Sequence, residues 1–128
     1  AIAAKAVKEI TYQLKTSGDW MIRFGDGTEE SHRRAQAALD ELWTYTGELF
    51  ETDEVDAVLV KAGIVPEMGP IKAAFDAKVD AVLNEATLKR PADGFMMTGG
   101  RQGKHSEHLG FMLAEMQYLQ RAYPGATW

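Results

Sequence analysis

Residues 1–24, AIAAKAVKEITYQLKTSGDWMIRF, decide the fold. Ala3, Val7, Ile10, Leu14, Ser17, Met21 and Phe24 recur at alternating spacings of four and three. That pattern predicts one helix with all seven on a single stripe, because residues three and four apart share a helix face. Lys5, Lys8, Glu9, Lys15, Asp19 and Arg23 fill the other faces. A helix over residues 1–24 is about 36 Å long at 1.5 Å per residue. Such a length belongs to helix bundles more than to small compact folds.

Further helices follow. Gly25-Asp26-Gly27-Thr28 reads as a turn, and with Asp26 as N-cap, Glu29 takes the third helical position of a capping box. The second helix carries Ala35, Ala38, Leu39, Leu42, Trp43, Thr46 and Leu49 at helical spacing. A short third helix follows Thr52 and Asp53, carries Val55, Val58, Leu59 and Ala62, and stops at Gly63 in the C′ role. A connector through Pro66 leads to Pro70, which suits a first helical turn. The fourth helix places Ile71, Ala74, Phe75, Lys78, Val79, Val82 and Ala86 on one side, and Pro91 marks its end. Residues 91–104 hold four glycines and no periodicity, the signature of a loop. A fifth helix starts near Ser106, with Leu109, Met112, Leu113, Met116 and Leu119 on one side and Phe111, Tyr118 and Ala122 on another. A helix apolar on two faces is expected to lie between neighbours. No β alternation competes, so the fold class is all-α: about five helices with a Gly-rich loop before the last.

Composition narrows the function. The 128 residues are 45% hydrophobic and 26% charged, carry a formal charge of −5 and contain no cysteine. Disulfides, thiolate nucleophiles and cysteine-based metal sites are excluded. An acidic chain is a poor ligand for phosphate backbones, so no nucleic-acid partner is expected. Apolar runs are only a few residues long and no leader pattern precedes the first helix, so no membrane partner is expected and the expected location is the cytoplasm.

Three constellations carry candidate chemistry. In helix bundles a di-iron site takes a Glu from each of two helices and a Glu-x-x-His pair from each of two more. One such pair stands here, Glu29-Glu30-Ser31-His32, and Glu9 is the other carboxylate near the apolar stripe. Glu29 and Glu30 also suit the positive end of a helix dipole, and Tyr12 and Gln13 beside Glu9 are poor iron ligands. Glu9, Glu29 and His32 are therefore weak metal candidates, and the plainer reading assigns this chain no metal of its own.

Thr98-Gly-Gly-Arg-Gln-Gly-Lys-His105 has the look of a phosphate loop. The Walker spacing fails, since three residues separate Gly99 from Gly103, His follows Lys104, and no strand precedes. Arg101 and Lys104 are placed to meet an anionic group, against the plainer reading of a solvated basic cluster. His105-Ser106-Glu107-His108 offers two zinc-type ligands and no identifiable third.

The tail Thr98-Gly-Gly-Arg-Gln-Gly-Lys-His-Ser-Glu-His-Leu-Gly110, with Leu113-Ala-Glu-Met-Gln-Tyr-Leu-Gln-Arg121 and Pro124-Gly-Ala-Thr-Trp128, closely resembles one family. It is the C subunit of phenylacetyl-CoA 1,2-epoxidase, the multicomponent oxygenase of aerobic phenylacetate breakdown. Ala4-Lys-Ala-Val-Lys-Glu9, Gly25-Asp-Gly-Thr28, Leu42-Trp43, Glu48-Leu-Phe50 and Asn84-Glu-Ala-Thr-Leu88 extend the resemblance over essentially the whole chain. It implies a ferritin-like fold and a non-catalytic partner that pairs with and supports a catalytic A subunit holding the di-iron centre. Gln13 stands where the family pattern often has His, which weakens a ligand role for the Glu9 helix. With the resemblance, Arg101 and Lys104 become weak candidates for contact with CoA phosphates.

Family members are about twice this long, and the chain opens at Ala1 inside a helical pattern without a capping residue. The expectation is that residues 1–128 form the C-terminal portion of one ferritin-like domain whose N-terminal half is absent. Its apolar stripes then require that half, a second copy or a partner to cover them. Trp128 at the terminus suggests a docked tail. The competing reading is a ferritin-like, metal-dependent hydroxylase in its own right, using Glu9, Glu29 and His32 with ligands from elsewhere.

Overall fold

A computed structural model describes residues 2–127. The expectations for the start at Ala1 and for Trp128 lie outside the described residues. Among those described there is no strand, and the helices are α1 (Ile2–Gly25), α2 (Glu29–Leu42), α3 (Glu54–Lys61), α4 (Met68–Glu85), α5 (His108–Met116) and α6 (Tyr118–Ala122). The chain divides between Met97 and Thr98 into two compact units. The all-α expectation holds, and the long α1 packed by α2 and α4 in the first unit is consistent with a ferritin-like bundle.

Four expected boundaries need correction, each for a local reason. The N-cap of α2 is Thr28, not Asp26: Thr28 Oγ1 accepts from the Ser31 N–H at 3.2 Å, and Ser31 Oγ accepts from the Thr28 N–H at 2.9 Å. A serine at the third position closes the capping box that Glu29 was expected to close. Helix α2 stops at Leu42, short of Leu49, and gives way to two 3-10 turns, Trp43–Tyr45 and Gly47–Phe50. Thr46 Oγ1 bonds back to the Trp43 carbonyl at 2.8 Å and Thr44 Oγ1 reaches the Phe95 carbonyl at 2.9 Å. Threonines with such local alternatives compete with the helix ladder.

The third correction concerns α4, which ends at Glu85 and not near Pro91. Leu88 N–H donates to the Leu83 carbonyl at 2.9 Å and Thr87 N–H to Asn84 at 3.2 Å. These are the two bonds of a Schellman motif, with Thr87 at the left-handed position (φ 59°) where glycine is usual. Its apolar contact is present as well, since Leu83 and Leu88 are both buried in the core. Helix α3 closes on the same bond pattern at Gly63, which has φ 69°. The glycine was legible and the threonine was not. Finally, the single expected fifth helix begins at His108 and is interrupted at Gln117 (φ −99°, ψ 2°), so it forms two helices, α5 and α6.

The core of the first unit sits where α1, α2 and α4 meet. Leu83, Ala86 and Leu88 form its buried centre, and Met21, Ile22, Ala35, Leu39 and Val79 pack around it. Ala86 is fully buried against Gly25, at the end of α1. A Cβ on Gly25 would collide with the Ala86 carbonyl and lie 2.8 Å from its Cβ. Glycine is therefore what lets the two helix ends touch. The expected stripe of α1 is buried only in part. Met21 reaches the core, while Val7, Ile10 and Leu14 are more than half exposed and Phe24 stacks on Trp20 at 5.4 Å outside it.

In the second unit, the turn Gly100–Gln102 precedes α5 and α6. Leu109 and Leu113 are half-buried, while Phe111, Met112, Met116 and Tyr118 are exposed. No helix among the described residues is long and apolar enough to cross a membrane.

Candidate functional site

The densest polar arrangement of the first unit lies where α4 faces the 3-10 turns. Lys72, Asp76 and Asp80 follow one another at i, i+4 along α4, which puts their side chains on one face. The Lys72 ammonium meets Asp76 at 2.6 Å. The Arg90 guanidinium, from the segment after α4, bridges Asp76 at 2.7 Å and Asp80 at 2.8 Å. The hydrogen bond from Lys72, and then that from Arg90, hold the Asp76 carboxyl below its usual range. The same bonds, from Asp80 first and then Asp76, raise the Arg90 pKa and keep the guanidinium charged.

Aromatic faces complete the arrangement. Arg90 lies over the Trp43 ring at 4.8 Å, and Lys72 over Phe50 at 5.7 Å. A cation over a ring face is attracted by the ring quadrupole. Buried Trp43 donates its indole N–H to Asp93 at 3.1 Å. Two backbone-directed clasps fasten the same segment: Gln36 exchanges hydrogen bonds with Lys89, and Met97 N–H donates to the Thr44 carbonyl at 2.8 Å. Trp43, Phe50, Phe75 and Met96 wall a small hollow of about 160 Å³ at this junction. Lys72 and Arg90 are both neutralised by carboxylates, so the arrangement is a clasp that holds residues 88–97 onto the bundle. Sequence reasoning missed it. The i, i+4 run on α4 was a legible signal, but the reach of Arg90 back across ten residues to Asp80 was not.

The expected metal candidates fall elsewhere. Glu9 is exposed in the third turn of α1, and Glu29 is exposed at the first position of α2. About 24 Å of helix axis separates Glu9 from Gly25, beyond which Glu29 lies. His32 is half-buried and its Nδ1 lies 2.7 Å from the Gly25 carbonyl. A carbonyl only accepts, so the proton of that bond sits on Nδ1, and Nε2 is the ring nitrogen left to carry a lone pair. Thr87 Oγ1 approaches the same carbonyl at 3.4 Å. His32 thus joins Gly25 and Thr87 in tying α1, α2 and α4 together. Among the described residues no three or more His, Asp or Glu side chains are grouped to hold a metal ion, so these residues do not fit a di-iron centre.

Arg101 and Lys104 both belong to the Gly-rich turn of the second unit. It closes on itself: Gln102 and Lys104 N–H donate to the Gly99 carbonyl at 3.0 and 2.9 Å, and Gly103 N–H to Gly100 at 3.1 Å. Gly99 (φ 98°) and Gly103 (φ 84°) take the left-handed region that this closure demands. The Lys104 stem packs over Gly99, where a Cβ would come 2.8 Å from its Cδ. These amides bond within the loop and do not converge outward as in a phosphate cradle. His105 and His108 are exposed on either side of the start of α5.

Comparison with known proteins supplies what this geometry lacks. A family model described as phenylacetic acid catabolic protein matches residues 1–128. The chain is 49% identical over 128 residues to the C subunit of the 1,2-phenylacetyl-CoA epoxidase of Escherichia coli (strain K12). The match covers all of this chain and 52% of that protein, so the chain spans about half the length of the curated relative it matches.

Proposed function

The chain belongs to the phenylacetic acid catabolic protein family, and from that premise we propose that it serves as a non-catalytic subunit of a phenylacetyl-CoA epoxidase. In this reading it supports a separate catalytic subunit, which holds the di-iron centre, in the aerobic breakdown of phenylacetate. The carrying observation is 49% identity across the whole chain to a protein named as the C subunit of that enzyme. The geometry agrees in kind. The polar clasp is spent on internal fastening, Glu9 and Glu29 stand far apart, and the Nδ1 of His32 is engaged by backbone.

The competing reading, a metal-dependent hydroxylase in its own right, draws on one feature. A histidine whose Nδ1–H is fixed by a carbonyl is oriented as metal-bound histidines are, with Nε2 outward. One experiment separates the two: purify the full-length protein with and without its candidate catalytic subunit, and measure iron in each fraction. Co-elution with the partner, with iron in the partner alone, is the expected result. A protein that shows no affinity for the partner, or that binds stoichiometric iron by itself, overturns the proposal.

A further inference from the structure

We draw no further inference here: the strongest candidate, the exposed face of α1 that carries the stacked Trp20 and Phe24 with the Arg23 guanidinium over the indole, is an unpartnered apolar helix face, and nothing in the structure shows what covers it.

Discussion

Val7, Ile10 and Leu14 on one side, and Met21 and Ile22 on the other, are apolar residues of the same helix with different fates. The first three are 59, 51 and 53% exposed; the last two pack against Leu83, Ala86 and Leu88. Hydrophobicity does not separate them. What does is the neighbour that each end of α1 can accept. At the C-terminal end Gly18 lets Val82 approach to within ordinary contact of where a Cβ would sit, and Gly25 lets Ala86 come closer than any Cβ would allow. Small residues carry no weight in an apolar pattern, yet here they decide where two helix backbones meet. The N-terminal half of α1 has the apolar stripe without such a fit to α4.

The most forceful way to break this comparison is Gly25→Ala. The added methyl meets the backbone carbonyl and Cβ of Ala86, and neither is the flexible end of a long side chain. A loss of about 3 kcal/mol is expected, as for overpacking at a site that cannot relax. That corresponds to a melting temperature lowered by roughly 12 °C for a unit of this size. A thermal melt showing a shift of under about 2 °C would mean that α1 and α4 part without cost, and that the close approach is not what organises the core.

Trp43→Phe tests the second fastening of the first unit. It removes the indole N–H that donates to Asp93 and shrinks the ring under Arg90. About 1.5 kcal/mol should be lost, read as a lower urea midpoint with an unchanged slope. The change should also loosen residues 88–97 ahead of the α1–α2–α4 junction, visible as faster amide exchange at Met97, whose N–H donates to Thr44. Equal loosening of both regions would show that clasp and junction are one cooperative unit.

How much of this was legible in the sequence differs from element to element. The length of α1 was plain, because a four-three alternation over 24 residues has no competing structure. The ends of α2 and α4 were not. Ser31 served as a capping partner where a glutamate was sought, and Thr87 took a left-handed turn that glycine usually signals. The resemblance in the tail pointed to the family more directly than any cluster of side chains. The clasp around Trp43 escaped because its central member, Arg90, acts across segments that pair only once the chain has folded.

Thr87 offers a smaller, opposite effect. A β-branched residue at φ 59° is strained, and its hydroxyl returns only a long 3.4 Å contact to the Gly25 carbonyl. Thr87→Gly should stabilise the chain by about 1 kcal/mol by relieving that strain. Loss of stability instead would show that the hydroxyl, through Gly25 and His32, matters more to the junction than backbone comfort does.

The smallest expected effect is the one that sharpens the comparison most. Val7→Ala and Ile10→Ala, made together, remove apolar volume from the exposed half of α1 while favouring the helix, since alanine has the better propensity. If that half is bare in solution, no cavity forms and stability changes by no more than about 0.5 kcal/mol. The same kind of truncation at Leu83, buried in the core, should cost about 3 kcal/mol. The contrast between the two sites is thus a direct reading of what covers α1. A loss above about 1 kcal/mol for the double variant, growing with protein concentration, would mean that another copy already occupies the stripe. The two ends of the helix would then differ only in whether their cover comes from the same chain.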